Sequence, residues 1–234
     1  MSVWPSPGDL ARASAAEVIQ AWGSLGYPKR ALRLRECAVA IEEYGEVPRT
    51  EDVLRTLPGI GEYTAAAVAA FAYGERTVVL DTNIRRVICR AYIGEALPLP
   101  HLTRAERDIA ASLVPDDRAE SVKWNQATME LGAVICRARD ADCDSCPVKE
   151  LCAWGQADYP GDIHAGRRRT QGWEGTDRQA RGRIMAFLRE ADGELVPIAA
   201  IVEGTPREAQ TLRAIDALIA DGLAVRDGEA LRLP

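Results

Sequence analysis

The sequence predicts an all-α core followed by a small helical unit that ends in one β-hairpin. Three observations carry that prediction. A short helical stretch from Glu51 to Leu57 and an alanine-rich helix closed by Gly74 are joined by the tight turn Pro58-Gly59-Ile60-Gly61. Four cysteines, Cys136, Cys143, Cys146 and Cys152, crowd into one segment with the spacing C-x6-C-x2-C-x5-C. From Arg178 onward, three helical stretches precede a pair of short apolar runs separated by Asp227-Gly228, a hairpin turn signal. Three helices and a hairpin predict a winged-helix-like unit.

The 234 residues are enough to bury the core of one large or two smaller domains, and 47% of them are apolar. No apolar run reaches membrane-spanning length, and the N-terminus carries no charged-then-apolar signal pattern, so a cytoplasmic location is expected. A formal net charge of −6 counts against nucleic-acid binding, although a local basic face suffices for it. Of six cysteines, Cys37 and Cys89 fall on apolar helical stretches and read as core thiols. The other four are spaced for a metal site rather than for disulfides. Thiolates suit either zinc or an iron–sulfur cluster, and spacing alone does not choose between them.

Residues 8–23 read as helices, with Ser14 and Glu17 forming a capping box. Gly26 and Pro28 then mark a break. Lys29 to Tyr44 is an amphipathic helix with Leu32, Cys37, Val39, Ala40 and Ile41 inward and Gly45 at its end. Arg30, Arg33 and Arg35 read as its solvated face. Thr50 stands where it can cap the next helix. In the turn that follows, Gly59 and Gly61 permit φ > 0 and close approach of a ligand. Free N–H groups at the start of the next helix favour an anion such as a DNA phosphate. A plain helical corner explains the same glycines.

Asp81 sits at the N-cap of a helix running through Ile84, Val87, Ile88 and Ala91; Arg85 and Arg86 on it either approach DNA or face water. Residues 93–102 are a proline-rich connection. Thr103 and Glu106 form another capping box. A long helix from Ala119 to Cys136 delivers the first clustered cysteine, and Glu130 on it reads as structural. Residues 153–176 look like a linker, whose Arg167-Arg168-Arg169 is a basic tether or a phosphate contact. His101 and His164 have no clustered partners in sequence. In the last unit, Arg178 to Arg189 is helical with Ile184, Met185 and Leu188 inward, followed by helices at Val196 to Val202 and Pro206 to Ala220.

Leu57-Pro58-Gly59-Ile60-Gly61-x-Tyr63-Thr64-Ala65, followed by Leu80-Asp81-x-Asn83-x-x-Arg86, resembles the helix-hairpin-helix DNA glycosylase superfamily. Tyr63, the Asn125-Gln126-Ala127 and Leu131-Gly132-Ala133 pattern, and the cysteine spacing resemble its MutY-type, A/G-specific adenine glycosylases. The resemblance implies a helix-hairpin-helix glycosylase core at residues 1–152 with a [4Fe-4S] loop at 136–152, a linker at 153–176 and the winged-helix-like unit at 177–234. It makes Asp81 the catalytic carboxylate, with Tyr63 positioning it and Asn83 helping to hold the site. A phenol forms no Schiff base, so a lyase reaction through Tyr63 is excluded. Pro58, Gly59, Ile60 and Gly61 would bind DNA through the hairpin. Leu25 and Tyr27 would enter the base stack from a turn resembling the family's Gly-Leu-Gly-Tyr, although Pro28 stands where many members have a second tyrosine.

Cys136, Cys143, Cys146 and Cys152 would hold the cluster. The implied partner is double-stranded DNA with an A·8-oxoguanine or A·G mispair, bound by a monomer at the nucleoid and not at a membrane. The implied reaction is hydrolytic removal of adenine in base excision repair. The family's general-acid glutamate, near a Leu-Gln-Gln-Thr segment, has no counterpart pattern here, and the first five residues resemble an internal stretch of the family. A truncated form or an internal start is therefore expected, with activity lowered by about 10²–10⁴-fold. Two other readings remain: a non-catalytic iron–sulfur DNA-binding protein, and an endonuclease III-like glycosylase, which Tyr63 weakens.

Overall fold

The computed structural model describes residues 3–168, 172 and 174–234. Its helices in chain order are α1 (Pro7–Arg12), α2 (Ala15–Trp22), α3 (Lys29–Tyr44), α4 (Glu51–Leu54), α5 (Glu62–Tyr73), α6 (Thr82–Ile88), α7 (Arg104–Leu113), α8 (Arg118–Val134), α9 (Ala153–Gln156), α10 (Asp177–Glu190), α11 (Ile198–Glu203) and α12 (Glu208–Ala220). A π-helical turn, Cys89–Ile93, continues α6. Strands β1 (Val196–Pro197), β2 (Val225–Asp227) and β3 (Ala230–Arg232) form an antiparallel sheet in the order β1-β3-β2. The predicted hairpin is present, with Gly228 at φ 56° in its turn. Val196 and Pro197, read as the start of a helix, instead pair with Leu231 and Ala230 as an added edge strand. Proline is tolerated there because an edge strand can leave one side without a donor.

Two compact units emerge: Met1–Val47, Leu57–Gly59 and Gln171–Pro234 in one, Pro48–Thr56 and Ile60–Thr170 in the other. This grouping differs from the consecutive domains read from the sequence. The reason is a shared core in the first unit. Ile19 of α2 is fully buried with Ile184, Met185 and Leu188 of α10, Ile215 and Leu218 of α12, and Leu223 and Leu231. Leu32 of α3 packs against the same cluster. Helices α1 and α2 start at complete capping boxes, Ser6 with Asp9 and Ser14 with Glu17. In α3, Ala31 and Ala38 are buried beside Cys37, while Val39, Ala40 and Ile41 are only half-buried. Arg35 is not purely solvated, since its Nε donates to the carbonyl of Ala13 at 2.5 Å.

In the second unit, Ala66 and Ala70 of α5 pack with Val79, with Ile84 and Ile88 of α6 and with Ala110 of α7. Thr50 occupies the N-cap position of α4, but its hydroxyl makes no capping bond. Thr103 and Glu106 do form the predicted box on α7. Burial pushes the Cys89 thiol up to about 12 and the Cys37 thiol upward, as expected of core cysteines. The region read as a linker is partly ordered by bonds. Arg168 pairs with Asp162 at 2.6 Å and donates to the carbonyl of Pro98 at 2.5 Å. His164 is not isolated: its Nε2 lies 3.1 Å from Glu95 Oε2. Arg169, the last residue of the basic run, lies outside the described residues.

The segment before Asp81 is deeply buried at Thr77 and Val79, yet no strand among the described residues pairs with it. Asn125 of α8 takes the place of a neighbouring strand. Its Oδ1 accepts from the Val79 N–H at 3.4 Å and its Nδ2 donates to the Thr77 carbonyl at 3.0 Å. A carboxamide has one acceptor and one donor end, so it satisfies both backbone groups at once. Asn125→Leu is expected to lower the unfolding free energy by about 2–4 kcal/mol, because two buried backbone groups lose their partner. Urea denaturation followed by circular dichroism checks this, and a change below about 1 kcal/mol would sink the strand-substitute account.

Candidate functional site

The hairpin differs in one respect from its sequence reading. Gly59 has φ 76°, but Gly61 is extended at φ −93° and ψ 174°. Only Gly59 uses the left-handed region that excludes side chains. A Cβ on Gly59 would also lie 2.8 Å from Cβ of Arg33, so the turn runs against the side of α3. Gly61 is the N-cap of α5 and offers no capping side chain, and a Cβ there would meet nothing within 4 Å. Among the described residues no side chain caps the amides that open α5, at the positive end of a twelve-residue helix. Glu62, the first residue of α5, would repel an anion there, but Arg107 of α7 engages its two carboxylate oxygens at 2.8 and 3.0 Å. That contact holds the Glu62 carboxyl below its usual range.

Asp81 is the N-cap of α6, its Oδ1 accepting from the Ile84 N–H at 2.6 Å. One carboxylate oxygen is thereby fixed by the backbone, which orients the group. Asn83, two residues on, is held from below by Arg86. The Arg86 guanidinium donates to Asn83 Oδ1 at 2.9 Å, Gly132 O at 2.5 Å, Cys136 O at 2.7 Å and Thr82 O at 3.3 Å. Arg86 is only 7% exposed. A Cβ on Gly132 would stand 2.8 Å from both Cβ and the carbonyl oxygen of Asn83, so the glycine is what lets α8 approach α6 this closely. Tyr63 sits in the first turn of α5, half exposed, and its hydroxyl makes no hydrogen bond among the described residues. No hydrogen bond joins Tyr63 to Asp81 among the described residues.

Arg85 and Arg86, which the sequence offered to DNA or water, are both structural. Arg85 makes a two-pronged bond to Glu106 at 2.7 and 2.9 Å and caps the carbonyl of Leu99 at 2.8 Å. Glu130 is exposed on α8.

The four clustered cysteines line one pocket together with Arg90, Lys149, Trp154 and Tyr159. Arg90 is 5% exposed and was not singled out in the sequence. Its Nη1 lies 3.4 Å from Cys136 Sγ and donates to Arg137 O at 2.7 Å, while Nε holds Ala96 O at 2.9 Å. Its guanidinium rests 4.5 Å over the Trp154 ring, and Trp154 meets Tyr159 edge-on at 5.0 Å. Among the described residues, no three of His, Cys, Asp or Glu lie close enough to hold a single metal ion.

The turn between α2 and α3 is strained and open. Gly23, Gly26 and Tyr27 all have positive φ, at 56°, 78° and 48°. An aromatic residue in that region is uncommon and costs energy, which is a recurrent mark of functional turns. Trp22 Nε1 ties the turn down through the Gly26 carbonyl at 2.9 Å. Leu25 and Tyr27 project from it, 75% and 61% exposed.

An open-ended helix at a glycine hairpin, an oriented aspartate and a four-thiol loop form the frame of a DNA repair protein. Residues 1–111 match the model of the HhH-GPD superfamily of base excision DNA repair proteins, and the chain belongs to that superfamily. Adenine DNA glycosylases are among its relatives there, and it belongs with them. The adenine DNA glycosylase of Mycobacterium tuberculosis (strain ATCC 25618 / H37Rv) is 45% identical over 226 residues, covering 95% of this chain and 73% of the relative. That of Mycolicibacterium smegmatis (strain ATCC 700084 / mc(2)155) is 47% identical over 222 residues, covering 94% and 74%. A solved non-covalent endonuclease III–DNA complex superposes with a TM-score of 0.58 at 26% identity, over 67% of this chain and 72% of that one.

Proposed function

We propose that the protein hydrolyses the N-glycosidic bond of adenine mispaired with 8-oxoguanine or guanine in double-stranded DNA. The observation that carries this reading is Asp81, fixed at the start of α6 beside an Asn83 that Arg86 holds in place. Reaching the bond requires the adenine nucleotide to leave the stack. Leu25 and Tyr27, on their strained turn, unstack the step, and the hairpin amides of Pro58–Gly61 and α5 grip a backbone phosphate. As the base departs, the sugar gains oxocarbenium character, and the Asp81 carboxylate stabilises that charge at short range. Tyr63 steadies the carboxylate once DNA is bound, and Asn83 holds the site around it. Water adds to C1′ as the bond to adenine breaks, and the departing purine takes its proton from a donor other than Asp81, whose carboxylate faces the cation.

The donor set at residues 136–152 fits a [4Fe-4S] cluster. Four thiols converge on one pocket, and their C-x6-C-x2-C-x5-C spacing resembles the cluster loop of endonuclease III and MutY proteins. Soft thiolates suit the irons of such a cluster. When bound, the cluster would supply a rigid cross-link for the loop. Arg90 would offset the negative charge of the thiolates, and Trp154 would shield it.

A single-turnover assay on A·8-oxoguanine, A·G and A·T duplexes tests the activity. The expected result is free adenine from the mispairs with the strand left intact. Strand scission with a borohydride-trapped adduct would instead indicate an endonuclease III-like lyase, and duplex binding without base release a non-catalytic protein. Anaerobic purification should give broad visible absorption and about four iron atoms per chain. One zinc per chain would overturn the cluster assignment.

A further inference from the structure

Helix α10 belongs to the winged-helix-like unit, whose part in DNA recognition the sequence leaves open. It lies against the turn that carries Tyr27, within the same compact unit. Between them runs a groove of about 680 Å³, lined by Lys29, Arg178, Arg181, Arg183 and Arg189 and by no acid. In a chain of net charge −6 this is a concentrated cationic surface. Lys29 and Arg181 share one carboxylate, Asp221, each at 2.6 Å, so the trio keeps a positive charge. Among the described residues no acid pairs with Arg183 or Arg189. The Arg178 guanidinium sits 4.5 Å over the Tyr27 ring. Gly182, in the middle of α10, has open space where a Cβ would be and lines the groove. Among the described residues nothing lies within 4 Å of that position, so the glycine leaves room for close approach from outside.

We propose that this groove binds the phosphodiester backbone of duplex DNA next to the step that Tyr27 enters. Arg183 and Arg189 take phosphates, and Arg178 is a positioning residue that holds Tyr27 in its left-handed conformation before DNA arrives. The occupant is DNA because the cations are continuous with the turn that projects Leu25 and Tyr27. The wall also mixes charge with the flat surfaces of Tyr27 and Pro28, as backbone-tracking grooves do. A rigid aromatic held in advance loses less entropy on insertion than one free to rotate. The inference rests on the reading of Tyr27 as a stack-entering residue, and the experiment separates the two.

Fluorescence anisotropy with a labelled A·8-oxoguanine duplex and its A·T counterpart, across a salt series, provides the test. Arg183→Gln/Arg189→Gln is expected to flatten the slope of log K against log salt by about 2 on both duplexes. An unchanged slope would sink the phosphate assignment. A slope that flattens with an acidic peptide but not with DNA would assign the groove to a protein partner and overturn the inference. Arg178→Ala is expected to lose most of the preference for the mispair that Tyr27→Ala loses, with the double variant no worse than Tyr27→Ala alone. Arg178→Lys, which keeps a cation over the ring, should restore much of it. If Tyr27→Ala abolishes the preference while Arg178→Ala matches wild type, Arg178 has no positioning role and the Tyr27 reading stands. If Tyr27→Ala changes nothing, that reading fails, and the salt slopes still decide the groove. Thermal melts of each variant confirm that the fold is retained.

Discussion

Asp81→Asn is expected to slow single-turnover adenine release by about 10²–10⁴-fold while leaving the melting temperature unchanged. The two halves of that expectation come from two different atoms of one side chain. Asp81 Oδ1 caps α6 by accepting from Ile84 N–H. Asparagine caps a helix as well as aspartate does, so the fold keeps its bond. What asparagine lacks is the negative charge, which on the proposed mechanism stabilises the developing sugar cation. Asp81→Ala removes both and should add a stability loss of about 1 kcal/mol to the rate loss. Release by Asp81→Asn at the wild-type rate would sink the assignment of Asp81 as the reacting carboxylate. A rate loss matched by an equal fall in stability would mean that the capping role alone explains the residue.

Arg86→Ala is expected to lower the unfolding free energy by about 3–5 kcal/mol, the range for removing one partner from a buried charged network. Its guanidinium satisfies acceptors on α6, on α8 and at Cys136, all from a position 7% exposed. Burial pushes the pKa of this arginine down, against the opposing pull of nearby Cys136 and Asp81. Arg86→Lys should not rescue the loss. An ammonium cannot reproduce the planar fork that reaches Cys136 O, Gly132 O and Asn83 Oδ1 together. Because one end of that fork holds the carbonyl of Cys136, occupancy of the proposed cluster should fall along with stability. The iron-to-protein ratio and the denaturation midpoint, measured on the same preparation, check both. A stable Arg86→Ala protein with full iron would show that the network is dispensable.

The chemistry-bearing residues were legible in the sequence because they sit in short local patterns. The Pro58–Gly61 turn, Asp81 at a helix start and the C-x6-C-x2-C-x5-C loop each specify their geometry within a few residues. Capping boxes at Ser14 and Thr103 and the Asp227-Gly228 hairpin were readable for the same reason. Conformation at single residues was less so. Gly59 and Gly61 look alike in sequence, yet only Gly59 has φ > 0, since Gly61 has already entered the extended geometry of an N-cap.

The supporting shell needed the tertiary structure. Arg86, Arg90 and Asn125 carry side chains that sequence reasoning places on the surface or leaves without a task, and each is buried against backbone carbonyls distant in the chain. Nothing local signals such a burial, because the partners are main-chain atoms that every residue possesses. The grouping of residues 1–47 with the C-terminal helices is of the same kind. Periodicity tells that α2 and α10 each have an apolar face, but not that Ile19 and Ile184 share one core. Local patterns in the sequence name the candidate groups for the chemistry. Tertiary packing decided which cations are sequestered, as Arg86 and Arg90 are, and which, like Arg183 and Arg189 on α10, meet no acid among the described residues.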